Sequence, residues 1–245
     1  MSTWLRQNGG LVFFLAVIAF IAVVEGRRHH VLNESEGIFF LVLIPSIILH
    51  EISHGLVAYW CGDPTAKDAG RLSLNPIRHV SIVGTIIVPL VLILTAGAAF
   101  GWAKPVPVRI DRLRHPRNQA VLVGLAGPAT NLIIAGIAAF VFRFFLLNSV
   151  LAVATFSQLG LFTQFVVMAG YANVIIAAFN LLPIPPLDGA ALIERVLPQR
   201  LLPYYYQVRM GFLFVVMAIV FLARNALGDV FNWCFDVWLH VAGAG

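Results

Sequence analysis

His50 and His54 stand four residues apart in the run His50-Glu51-Ile52-Ser53-His54. On a helix, side chains at that spacing lie one turn apart on one face, so both imidazoles can reach a single metal ion. In the H-E-x-x-H arrangement the histidines hold zinc, and the glutamate between them is the general base that takes a proton from water during hydrolysis. With seven histidines and five glutamates in 245 residues, chance would place this pattern in about 0.4% of such chains, the false-positive estimate a motif needs. Coincidence is therefore a poor account of it. The other readings open to these side chains are an interfacial position or ordinary hydrogen bonds inside a bundle. Ionisable groups at membrane depth are costly and mark function by default, which favours the metal.

The apolar run around the motif, Gly37 to Cys61, is one of several. Of the 245 residues, 60% are hydrophobic and 11% are charged, with a mean hydropathy of +0.90. Soluble domains carry about 25% charged residues, so this composition describes a polytopic membrane protein, all-α by the length of its apolar runs. No tandem repeat, low-complexity tract or soluble domain interrupts it, and one membrane-embedded domain over residues 1–245 is expected. The formal charge of +5 is spread over the connectors. Lipid headgroups explain it better than a nucleic-acid partner does. Cys61 and Cys234 form no C-x-x-C and are read as small apolar fillers.

The first apolar run, Gly9 to Val24, is followed by Glu25-Gly26-Arg27-Arg28 in place of a small-residue cleavage site and reads as a retained span. His29 and His30 after it are neighbours in sequence, cannot share a helical face, and fit the headgroup level. In the second run, Pro45 should kink the helix or leave a carbonyl free ahead of the motif. Ser46, His50, His54 and Ala58 form one row there, small or polar, with room expected for water and a substrate chain. Ile82 to Trp102 is long enough to cross but is broken by Gly84, Pro89 and the Gly97 to Gly101 stretch. If it crosses, Lys and Arg split 6 against 10 between the two sides; if it dips in and returns, they split 12 against 4. The more asymmetric split favours re-entry, with the basic side cytoplasmic.

Gln119 to Leu147 carries Gly127, Asn131, Ala135 and Ala139 at four-residue spacing, a row that lets transmembrane helices approach closely. Asn131 in that row suits an interhelical hydrogen bond at least as well as a catalytic role. Leu159 to Leu182 ends in Asn180-Leu181-Leu182-Pro183-Ile184-Pro185-Pro186-Leu187-Asp188-Gly189, where three prolines end the helix just before an aspartate. From the residues alone, Asp188 is either a ligand in a cavity or part of an ordinary Asp-Gly turn. Val196 to Arg209 is a basic, aromatic connector suited to a membrane surface, and Met210 to Ala223 begins the last clear span. Phe231 to Ala242, with Trp233 and Trp238, is too short to cross unaided and is expected at the interface. The fold expected is about five to six transmembrane helices with a re-entrant segment around a buried zinc site.

The motif in a span, paired with Asn180-x-x-Pro183-x-x-x-Leu187-Asp188-Gly189 near the end of a later one, resembles the site-2 protease family of intramembrane zinc metalloproteases. Gly101-Trp102-Ala103-Lys104-Pro105-Val106-Pro107-Val108 and Gly127-Pro128-Ala129-Thr130-Asn131 resemble its compact bacterial branch, which lacks an inserted peptide-binding domain. The resemblance covers roughly residues 37–200, the catalytic core, and these paired motifs are specific. It implies one Zn2+ per chain held by His50, His54 and Asp188, with Glu51 as general base. It also implies Asn180 as stabiliser of the tetrahedral oxyanion and Asn131 as a positioner of the substrate strand. The implied partner is a transmembrane protein cut in or near its membrane segment, and the implied location a cell membrane (inner or plasma), crossed several times. One departure stands out: His79-Val80 should be followed by aspartate and proline in this branch, and here Ser81 and Ile82 follow. A metal or proton transporter would also place His, Asp and Asn at membrane depth, but would usually show repeated half-motifs, and none is visible. A catalytically silent homologue that binds membrane partners is the third reading.

Overall fold

The computed structural model describes residues 34–81, 104–147, 158–212, 216 and 224–244. Among them, regular structure is helical: α1 (Glu34–Trp60), α2 (Thr65–Asp68), α3 (Pro116–Val141), α4 (Leu161–Asn180), α5 (Ala190–Val196), α6 (Leu202–Val208) and α7 (Arg224–Ala242). A π-helical turn, Phe142–Leu146, continues α3. Among the described residues, three stretches are long and apolar enough to cross a membrane: Gly37–Trp60, Pro116–Leu146 and Leu161–Asn180. The middle one begins earlier than the apolar run does because Pro116 sits in its first turn, where a missing N–H costs no hydrogen bond. The expected span Gly9 to Val24 and the segment Ile82 to Trp102 lie outside the described residues, as does most of Met210 to Ala223.

α1, α3 and α4 pack on one another and form the centre of the molecule. The row Gly127, Asn131, Ala135 and Ala139 is buried on α3, as close approach of helices in lipid requires. The row on α1 is buried too. Ser46, His50, His54 and Ala58 are at most 8% exposed, so this face is turned inward against protein. Ala58 and Cys61 pack with Leu113 and Val123 in a small cluster below the motif.

The tail differs from its expected form. It is helical from Arg224 and lies antiparallel along α4, with Phe231 against Phe179 at 6.4 Å between ring centroids and Phe235 against Tyr171 at 5.0 Å. Trp238, read from sequence as a headgroup anchor, is 5% exposed. Its indole N–H donates to the Ala135 carbonyl at 2.9 Å, and its ring fills the place where Gly170 has no Cβ. Contacts at 231, 235, 238 and 242 make a helical stripe. The helix begins at Arg224, seven residues ahead of the expected start at Phe231.

The connectors meet at one end of the helices. The extended stretch 104–109 lies across the C-terminal part of α1, where Gly55 admits Val106 and Leu72 because it has no side chain. Lys104 N–H donates to the His79 carbonyl at 2.8 Å, and Arg71 donates to the carbonyls of Lys104 at 2.6 Å and Pro105 at 3.2 Å. The two flanks of Ile82 to Trp102 therefore touch. Arg117 joins the same end to the α5 region through the carbonyls of Arg195 and Leu197. The basic residues of all three connectors are thus gathered at one end, and Arg143 lies at the other end of α3.

Candidate metal centre

α1 presents His50 and His54 on its buried face, one turn apart as their spacing requires. Asp188 arrives from the turns after α4. Pro183, Pro185 and Pro186 forbid further helix, and the chain doubles back so that Gly189 N–H reaches the Asn180 carbonyl at 2.7 Å. Two glycines permit that path. A Cβ on Gly189 would run into the carbonyls of Leu181 and Leu182, and one on Gly124 of α3 would meet the Asp188 carbonyl at 3.1 Å and Ala191 at 2.7 Å. Asp188 is thus both the turn residue and the side chain that enters the cavity.

One ligand atom from each of the three side chains lies within 4.8 Å of the other two. His50 Nε2 is 2.9 Å from Asp188 Oδ2, His54 Nε2 is 3.4 Å from Asp188 Oδ1, and the two Nε2 atoms are 3.1 Å apart. Ligands on a tetrahedral zinc, at about 2.0–2.2 Å from the ion, stand about 3.3–3.5 Å from one another, so this donor set nearly has the size of a zinc site already.

The partners on the far side of each ring fix which nitrogen is turned to the site. The Val42 and Ala169 carbonyls can only accept hydrogen bonds. Ser46 gives its hydroxyl proton to Val42 at 2.8 Å, and the Asn173 amide nitrogen donates to Ala169 and to Ser46 Oγ, both at 2.9 Å. The Asn173 oxygen therefore accepts from the Asn131 amide nitrogen at 2.7 Å, which leaves the Asn131 oxygen facing His50 Nδ1 at 2.5 Å. His50 must donate there. His54 Nδ1 likewise donates to the Val123 carbonyl at 2.6 Å. Both Nδ1 atoms are thus engaged outward, and both Nε2 atoms are turned toward the Asp188 carboxylate. Outer hydrogen bonds of this kind orient metal-binding histidines.

Gly127 supplies the remaining fit. A Cβ there would fall against the Nε2 atoms of both histidines, so a glycine is what lets α3 approach the two ligand rings this closely.

The other expected site residues lie as follows. Glu51 stands outside the donor trio, half-buried, with Oε2 accepting from the Val106 backbone N–H at 2.9 Å. Asn131 is fully buried and its amide is shared between His50 and Asn173, so it has no group turned toward a substrate strand. Asn180 donates its side-chain N–H to the Ile176 carbonyl of its own helix at 3.0 Å. Its backbone carbonyl, through Gly189, closes the turn that delivers Asp188. Asn173 is the junction of α1, α3 and α4, through its bonds to Ser46 and Asn131.

Comparisons with known proteins follow the same lines. The model of peptidase family M50 matches residues 38–159 and 146–223. The "Putative zinc metalloprotease YwhC" of Bacillus subtilis is 41% identical over 193 residues, covering 79% of this chain and 83% of that protein. The "Putative zinc metalloprotease Rip2" of Mycolicibacterium smegmatis is 30% identical over 205 residues, covering 82% of this chain and 74% of its own. That of Mycobacterium tuberculosis is 29% identical over 237 residues, covering 93% and 85%. No solved structure gives a match.

Proposed function

The chain belongs to peptidase family M50, the site-2 protease family, and from that premise we propose that it is an intramembrane zinc metalloendopeptidase, cutting a peptide bond in or near the membrane segment of another membrane protein. The observation that carries this reading is the convergence of the His50 and His54 Nε2 atoms with the Asp188 carboxylate, beside Glu51, among helices apolar enough to cross a bilayer. His50, His54 and Asp188 would hold one zinc ion, leaving a fourth position open. A bound zinc supplies a Lewis acid that polarises the scissile carbonyl and makes water a stronger nucleophile near neutral pH. Glu51 takes the proton from the attacking water and passes it to the leaving amine nitrogen.

Asn131, with Asn173 behind it, would accept from His50 Nδ1 and so orient the ring with Nε2 toward the metal position. This role is proposed for Asn131 in place of substrate positioning. For Asn180 to stabilise the oxyanion, its amide must turn away from Ile176 when substrate enters. A helical substrate hides its carbonyls in hydrogen bonds, so segments with glycine or proline should be cut more readily. The membrane location follows from the same helices, and a multi-pass position in the cell membrane is part of this reading.

The deciding experiment compares wild type with Glu51→Gln on a glycine- or proline-containing transmembrane peptide, with zinc content measured in both. Glutamine keeps the shape but cannot accept the proton, so cleavage should fall at least about a hundredfold while zinc stays bound. Equal cleavage by the two proteins would remove the hydrolytic assignment. Zinc flux into liposomes by Glu51→Gln without any cleavage by wild type would favour a transporter.

A further inference from the structure

The stretch 104–109 is held more firmly than a connector needs to be. Proline at 105 and 107 leaves it four backbone N–H groups, of which three have partners: Lys104 to the His79 carbonyl, Val106 to Glu51 and Arg109 to Asp63 Oδ2 at 2.6 Å. Asp63 is fully buried and also accepts from the backbone and hydroxyl of Thr65. Burial alone would raise its carboxyl's pKa. The bonds from Thr65 and Arg109, with the charge of Arg112, outweigh that and hold it below the usual carboxylate value, so it anchors this end as an anion.

Arg71 anchors the other end. It is 7% exposed, and its guanidinium donates to the carbonyls of Arg78, Lys104 and Pro105. It thereby joins the connector after α1 to the stretch that carries Val106. Burying a guanidinium is costly, and a loop needing only to be closed could close on neutral groups. This one lies near enough to Glu51 to feel its charge, and the backbone it grips ends in the one N–H that the Glu51 carboxylate accepts.

We infer that Arg71 is a positioning residue for Glu51: it fixes residues 104–106 against α1, so that the Val106 N–H holds the carboxylate beside the metal centre. The inference rests on the hydrolytic reading above for its consequence, though not for its geometry. A charge-assisted bond from a rigid backbone donor fixes one carboxylate oxygen and leaves the other for the proton. Loosening the donor misplaces the base, and displacement of a catalytic group by about 1 Å can cost about a hundredfold in rate.

The test has two readouts on the zinc-loaded full chain. In backbone hydrogen exchange, residues 104–109 contribute only four amides, so each lost bond is visible. Glu51→Ala should release one slow amide, Val106, while Arg71→Gln should release the amides of Lys104 and Val106 together. In cleavage assays Arg71→Gln should lower kcat about ten- to a hundredfold with KM within about twofold and zinc content unchanged, and Arg71→Lys should recover part of it. Should Arg71→Gln not fold, Val106→Pro removes the single N–H from a backbone already rich in proline and should lower kcat alone by a similar factor. Wild-type kcat in both Arg71→Gln and Val106→Pro, or an exchange pattern untouched by Glu51→Ala, would overturn the inference. The expected exchange pattern in a wild-type protein that cleaves no peptide would instead leave the contact standing and count against the hydrolytic reading.

Discussion

Gly127 is the residue at which the metal centre is most sensitive to a single carbon. Its missing Cβ lies against both Nε2 atoms, so Gly127→Ala should abolish zinc binding while leaving the helix intact, since alanine favours helix more than glycine does. Metal analysis and circular dichroism on the same sample check it: full zinc occupancy in Gly127→Ala would mean the ion sits elsewhere. Asn131→Leu tests the ring behind the ligand. Removing the acceptor for His50 Nδ1 should weaken zinc about ten- to a hundredfold, the usual cost of losing an outer hydrogen bond to a ligand. Spacing identified His50 and His54 because i, i+4 geometry is local. Asp188 needed the paired motif, since its local sequence fits a turn equally well. Gly127 and Asn131 were visible as members of a packing row and of a family motif, but not as neighbours of the histidines. What makes them part of the centre is contact with α1, and nothing in the 120s of the sequence encodes which partner face they meet.

The elements were legible where apolar runs are long. α1, α3 and α4 fall close to their expected bounds, because a lipid span fixes length and composition together. α7 was less legible, since its buried stripe is one residue in three or four and its exposed face carries Asp229, Asn232 and Asp236. Its 19 residues reach about 28 Å, and it runs alongside α4, so it should cross the bilayer where an interfacial helix was expected. Single cysteines at Ala226 and Ala244 should then react with an impermeant reagent from opposite sides. Reaction from one side only would return the helix to the interface. The same reagent addresses the re-entrant segment. His79 and Lys104 are hydrogen-bonded neighbours, an arrangement that suits re-entry better than a single crossing. Cysteines at Asp68 and Arg112 should therefore label from one side, the basic, cytoplasmic one, and labelling from opposite sides would mean a crossing.

At the scale of the whole molecule, the centre is also a cross-link. Two ligands come from α1 and the third from 138 residues further on, while the outer chain of Ser46, Asn173 and Asn131 ties α1, α3 and α4 together behind them. An ion bound only by the folded arrangement stabilises it by mass action, about 2.7 kcal/mol when free zinc is a hundred times its dissociation constant. For a chain of this size that corresponds to a melting temperature higher by roughly 5–10 °C. Chelation should lower the melting temperature by about that amount in wild type and leave His54→Ala unmoved, because that variant has already lost a ligand. Glu51→Gln should respond like wild type, since Glu51 stands outside the donor trio. If the melting temperature is unchanged by chelation after complete zinc loss is verified, the ion does not hold the ligand-bearing segments together. The folded core would then rest on helix packing and the asparagine chain alone.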